Sequence, residues 1–120
     1  MTSPTAATLY HNPRCSTSRQ ALALLQERGI APQVVEYLKT PPSRAELRRI
    51  AAQTGEPLRA LLRTKQPEYL EQGLDNPALT DEQLLDAMLA TPVLINRPIV
   101  VTAKGARLAR PVEKLLAILP

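Results

Sequence analysis

Apolar positions along this chain fall into short blocks of two kinds. Leu9 and Tyr10, within residues 8–11, read as a short buried strand. Beyond Cys15, the positions Ala21, Leu22, Leu24 and Leu25 make a broad helical stripe, and Gly29 suits its C-terminal cap. Gln33 to Leu38 is rich in strand formers, so this first part predicts β-α-β, closed by Pro41 and Pro42.

A helical stretch follows. Ser43 and Glu46 form a capping box that opens a helix burying Leu47, Ile50 and Ala51, stopped by Gly55. Pro57 suits the first position of a short helical segment over 58–62, which delivers Arg63 just beyond its end. Residues 64–79 are polar and carry Pro67, Gly73 and Pro77, the composition of a loop with at most a helical turn. Thr80 and Gln83 form a second capping box, with Leu84, Leu85, Met88 and Leu89 as the apolar face behind it. Pro92 ends that helix, and Val93-Leu94-Ile95 is expected to pack into the core.

After Asn96-Arg97-Pro98, Ile99 to Thr102 and Ala106 to Ala109 predict a hairpin turning at Lys104-Gly105. Pro111 opens a last helix in which Val112, Leu115, Leu116 and Leu119 follow i, i+3, i+4, i+7. The order is β-α-β, a helical insert at about 39–95, then β-β-α. A chain of 120 residues is expected to form one domain, 1–120. Its first residues, Met1 to Ala7, carry neither a charged start nor an apolar signal core and read as a short lead-in.

Composition narrows the function. With no Phe or Trp and only 3 Tyr, the core must be aliphatic, and no aromatic platform exists for stacking bases. The net charge of +4 admits nucleic acid, a membrane surface or a small anion. Basic residues are interleaved with acids (Arg44, Arg48 and Arg49 share a helix with Glu46), which argues against nucleic acid and leaves the small anion. No apolar run is long enough to span a bilayer, so no membrane partner is expected. One Cys and one His cannot supply four metal ligands, and a single Cys closes no internal disulfide. A soluble protein of a reducing compartment is expected.

The candidate chemistry lies in residues 9–18. Asn12-Pro13 forms a turn between strand and helix, so Cys15 falls just before a helix N-terminus. Unpaired N–H groups and the positive dipole end favour a thiolate there. His11 is close enough in sequence to add a proton or a positive charge. The plainer reading of the same residues is a small buried cysteine and a structural histidine.

Five stretches carry a resemblance: Tyr10 to Ser18, Tyr37 to Pro42, Leu58 to Arg63, Leu94 to Thr102 and Gly105 to Pro111. In this order they resemble the glutaredoxin-type arsenate reductases. The resemblance implies an α/β, thioredoxin-like fold with a central mixed four-stranded sheet. It implies Cys15 as nucleophile, with Arg63, Arg97 and Arg110 as the oxyanion-binding set and a cis Arg97–Pro98 bond. His11 matches the histidine associated with a low cysteine pKa, and the hydroxyl residues Ser16, Thr17 and Ser18 join the expected substrate-binding set. Ser18 stands where dithiol relatives carry a second cysteine, so the resolving thiol must come from elsewhere. Arsenate as substrate, glutathione as co-substrate, glutaredoxin as electron donor and a cytoplasmic location follow from the resemblance, with no tightly bound cofactor. Without it, Arg63 would be a helix-end cation, Arg97 an exposed loop residue and Arg110 a solvated residue before the last helix. Two alternatives share the fold: an Spx-like regulator binding RNA polymerase, which Ser18 disfavours by removing the dithiol, and a glutathione-dependent thiol oxidoreductase with another substrate.

Overall fold

The computed structural model describes residues 7–120; the lead-in expected at the N-terminus otherwise lies outside them. The chain divides into two compact units, one of residues up to 40 together with 97–120, the other 41–96.

In the first unit, β1 (Ala7–His11) and β2 (Gln33–Glu36) are parallel and joined by α1 (Ser16–Glu27). The hairpin of β3 (Ile99–Thr102) and β4 (Gly105–Leu108) adds antiparallel to β1, which gives one mixed sheet in the order β2-β1-β3-β4. This is the thioredoxin-like arrangement. Ala7, Leu9 and Val100 project from one face and pack with Ala21 and Leu25 of α1 and with Ala109, Leu115 and Ile118. Alternation along the strands puts Tyr10 and Ile99, a facing pair, on the opposite face, and both are buried. Each fully buried Leu of this core contributes about 1.5–3 kcal/mol through area removed from water.

Three boundaries differ from the sequence expectation. The second strand ends at Glu36, because the N–H groups of Lys39 and Thr40 both donate to the Glu36 carbonyl (2.9 Å each) and turn the chain. In the hairpin, Thr102 faces Gly105, so the turn residues are Ala103 and Lys104, and the Lys104 N–H donates to Thr102 Oγ1 (3.1 Å). Gly105 has φ 137, a region open to glycine, and begins β4 rather than completing the turn. The last element is not α-helical: Val112–Ile118 winds as a 3₁₀ helix. Its three-residue period stacks Val112, Leu115 and Ile118 on one side, leaving Leu116 38% exposed. Thr102 Oγ1 donates to the Ile118 carbonyl (2.5 Å, buried) and fastens this segment to the hairpin.

The second unit holds α2 (Arg44–Thr54), α3 (Pro67–Glu71) and α4 (Asp81–Ala90) with 3₁₀ turns at Leu58–Leu61 and Pro92–Leu94. Both expected N-caps open their helices: Ser43 Oγ accepts from the Glu46 N–H, and Thr80 and Gln83 cap each other reciprocally as a full capping box. Gly55 closes α2 in the left-handed conformation, φ 74. Leu47 and Ile50 of α2 and Leu84, Leu85 and Met88 of α4 are buried. On the outside, Arg44 pairs with Glu82 and Asp86, and Arg48 with Glu82. Arg59 donates to the carbonyls of Leu74 (2.7 Å) and Asn76 (2.8 Å), which ties down the loop after α3. An isolated bridge, Leu62 with Ile95, sets the Arg63 N–H on the Leu94 carbonyl (2.8 Å). No helix among the described residues is long and apolar enough to cross a membrane.

Candidate active site

The reactive stretch is a β-turn. The Cys15 N–H donates to the Asn12 carbonyl (2.9 Å) with Pro13 inside the turn, and the Arg14 N–H donates to Asn12 Oδ1 (3.0 Å). Cys15 has the extended backbone of an N-cap residue (φ −90, ψ 123), and α1 starts at Ser16 with no acidic side chain in its first turn. Ser16 and Thr17 take its first two positions, Ser16 exposed and Thr17 half-buried.

Several groups act on the sulfur, which is half-buried. Burial pushes the thiol pKa up. The Ser18 backbone N–H, the side chains of Arg97 and Arg110 and the Arg97 charge together outweigh that, so the thiol sits below its ordinary 9.0. The Cys15 side chain closes no regular cap hydrogen bond, so the Ser18 contact is a favourable approach of an N–H to the thiolate rather than a full cap. Arg110 Nη1 lies 3.8 Å from Cys15 Sγ and donates to the Arg97 carbonyl (3.0 Å).

Arg97 precedes β3 and Arg110 follows β4, so the hairpin brings the two loops together at one end. The Ala109 N–H donates to the Pro98 carbonyl (2.8 Å) across them. Arg97–Pro98 is cis, as the resemblance implied, and Arg110–Pro111 is cis as well, which was not foreseen.

His11 behaves differently from the expectation. It is buried at the end of β1, with Nδ1 hydrogen-bonded to Ser18 Oγ at 2.7 Å. Burial lowers its pKa, the Glu36 carboxylate opposes this and the Arg19 charge adds to it, and the net shift is downward from 6.5. Burial thus disfavours the charged ring, and the contact the imidazole makes with the turn is its hydrogen bond to Ser18. Its link to the turn runs through Ser18, whose fully buried hydroxyl also accepts from the Asn12 N–H (3.1 Å).

The first unit thus brings together Cys15, Ser16, Thr17, Ser18, His11, Arg97 and Arg110, while Arg63 belongs to the second. Asn12 and Arg19, outside the expected site set, also hold this turn; beside the cysteine, Arg19 reads from the sequence only as a cation steering anions. An Asn-Pro pair before the cysteine is a legible turn signal for Asn12; nothing local marks the Arg19 contact, a donation from Nη1 to the Pro13 carbonyl (2.9 Å). A half-buried sulfur with a lowered pKa and converging guanidinium groups suit attack on a tetrahedral oxyanion, whose charge bidentate arginines neutralise.

The chain is similar to known proteins over most of its length. Arsenate reductase of Rhizobium meliloti is 55% identical over 113 residues, 94% of this chain and 81% of its own length. An arsenate reductase of Escherichia coli is 53% identical over 94% of this chain and 80% of its own. The solved arsenate reductase from Vibrio cholerae superposes with a TM-score of 0.92 at 48% identity, covering 96% of this chain and 98% of that one. The ArsC family model matches residues 10–118, and with likeness of this extent the chain belongs to the ArsC family.

Proposed function

We propose that this protein reduces arsenate to arsenite, with Cys15 as the nucleophile. The observation that carries the reading is the Cys15 sulfur at the start of α1 with Arg110 Nη1 3.8 Å away and Arg97 lowering its pKa. Arsenate is an anion, and a second anion attacks it only once its charge is neutralised; permanently charged, planar guanidinium groups do this. The Cys15 thiolate forms an S–As(V) bond and an arsenate oxygen leaves as water. Glutathione then attacks the same arsenic, displacing a second oxygen as water. A glutaredoxin thiolate attacks the glutathione sulfur, forming a mixed disulfide. The S–As electron pair stays on arsenic, so two thiols become one disulfide and arsenic goes from As(V) to As(III). Hydrolysis of the remaining Cys15–As bond releases arsenite and restores the thiolate. Arg97 and Arg110 stabilise the anionic adducts, Ser16 and Thr17 line the oxyanion's approach, and Ser18, whose hydroxyl is buried, contributes its backbone N–H. His11 keeps the turn in place through Ser18. A second cysteine is unnecessary in this scheme, because glutathione resolves the adduct.

The test is arsenate-dependent NADPH oxidation with glutathione, glutaredoxin and glutathione reductase. Turnover abolished by Cys15→Ser supports the reading; a folded wild-type protein with a low-pKa thiol and no turnover refutes it.

A further inference from the structure

We propose that Arg19 is a positioning residue for Cys15: its guanidinium, folded back from α1 onto the Pro13 carbonyl, locks the 12–15 turn that aims the sulfur at its donors. The inference rests on the reading of Cys15 as the nucleophile.

The polar backbone of the turn is held group by group. The Asn12 N–H donates to Ser18 Oγ, and the Asn12 carbonyl accepts from the Cys15 N–H. The Arg14 N–H donates to Asn12 Oδ1. Two carbonyls then fall to Arg19: its backbone N–H donates to Cys15 (3.0 Å) and its Nη1 to Pro13 (2.9 Å). Arg19 therefore grips the turn on both sides of Arg14, and only the side-chain half of that grip is lost on substitution.

A cation this close to a helix N-terminus lies against the positive end of the dipole, so the placement needs a compensating contact. The Pro13 carbonyl supplies it. Arg19 is also absent from the charges that lower the Cys15 pKa, which come from Arg97 and Arg110 beside the Ser18 N–H. Its influence on the sulfur is thus geometric. When the turn loosens, the sulfur spends less time against those donors while its burial remains, and burial alone favours the thiol.

The experiment is alkylation of Cys15 by neutral iodoacetamide across pH, in wild type, Arg19→Gln and Arg14→Gln, at low salt and at about 1 M salt. Arg14 is exposed beside Cys15 and carries the same charge, so it controls for charge alone. Arg19 is exposed too, so its variant folds, which a urea midpoint verifies. In Arg19→Gln the neutral-pH rate is expected to fall about three- to tenfold, since small misplacements of a reacting group are costly. The midpoint moves toward that of an ordinary thiol. The deficit persists at about 1 M salt, where the screening length is about 3 Å, and Arg14→Gln keeps the wild-type profile. A wild-type profile for Arg19→Gln, a deficit erased by salt, or an equal deficit in Arg14→Gln overturns the proposal. Alkylation needs no arsenate, so these outcomes are separate from a wild-type protein that alkylates normally yet fails to reduce arsenate.

Discussion

Ser18→Ala isolates the buried hydroxyl that joins β1, the turn and α1. Ser18 is fully buried, and its Oγ accepts from the Asn12 N–H at 3.1 Å and bonds His11 Nδ1 at 2.7 Å. Asn12 and His11 are 7% and 6% exposed, so water does not readily replace the hydroxyl. Alanine leaves two buried polar groups without this partner. Each costs about 1–3 kcal/mol, and the gain from no longer burying the hydroxyl offsets part of it, so a net loss of about 2–4 kcal/mol is expected. A 120-residue chain has about 6–18 kcal/mol of stability in all, which makes the loss large but survivable. The assay is urea unfolding of wild type, Ser18→Ala, His11→Gln and the double variant. The midpoint should fall with an unchanged slope, and the cycle should return a coupling of about 0.5–3 kcal/mol between the two residues. A Ser18→Ala variant within about 0.5 kcal/mol of wild type, or strictly additive losses, would refute the argument.

Four further outcomes follow from the structure. Because the His11 pKa is lowered in the folded chain, the unfolded chain binds more protons below about 6.5; stability should fall as pH drops through that value and on through the folded one, a slope that His11→Gln flattens in denaturation at successive pH values. Cys15, also lowered, contributes stability that is complete above 9.0 and lost as pH falls through its folded value, so wild type should gain on Cys15→Ser between those limits as pH rises. Arg110→Gln removes the guanidinium 3.8 Å from the sulfur and should slow neutral-pH alkylation by roughly three- to tenfold, while an unchanged rate would remove Arg110 from the thiolate's support. Leu115→Ala should cost about 2–5 kcal/mol and Leu116→Ala about 0.5 kcal/mol or less, because the 3₁₀ winding buries the first and leaves the second 38% exposed; equal losses in urea unfolding would mean an α-helical register.

Features set by neighbours a few residues apart could be read directly from the chain. The Ser43 cap on Glu46, the Thr80–Gln83 box, the stripe of α1 and the Asn12-Pro13 turn before Cys15 all depend on contacts within one helical turn or β-turn. The placing of Cys15 at a helix start, and with it much of the site's chemistry, belongs to this class. Arg97 and Arg110 did not show themselves through periodicity; only the resemblance of the surrounding stretches pointed to them. Their meeting with Cys15 spans 95 residues of chain for Arg110, a contact no local pattern encodes.

Tertiary structure decided what depends on burial and on distant partners. The apolar spacing of 112–119 fits an α-helix as well as a 3₁₀ segment. Packing of Leu115 and Ile118 against the sheet, with the Thr102 hydroxyl on the Ile118 carbonyl, selects the second. Whether His11 favours the charged or the neutral ring depends on its surroundings, and burial beside Ser18 shifts it toward the neutral form. Arg19 is one more surface arginine until the fold turns its guanidinium onto Pro13. Hydrophobic period and capping are written in neighbouring residues, whereas dielectric environment and long-range hydrogen bonds exist only once the chain has packed.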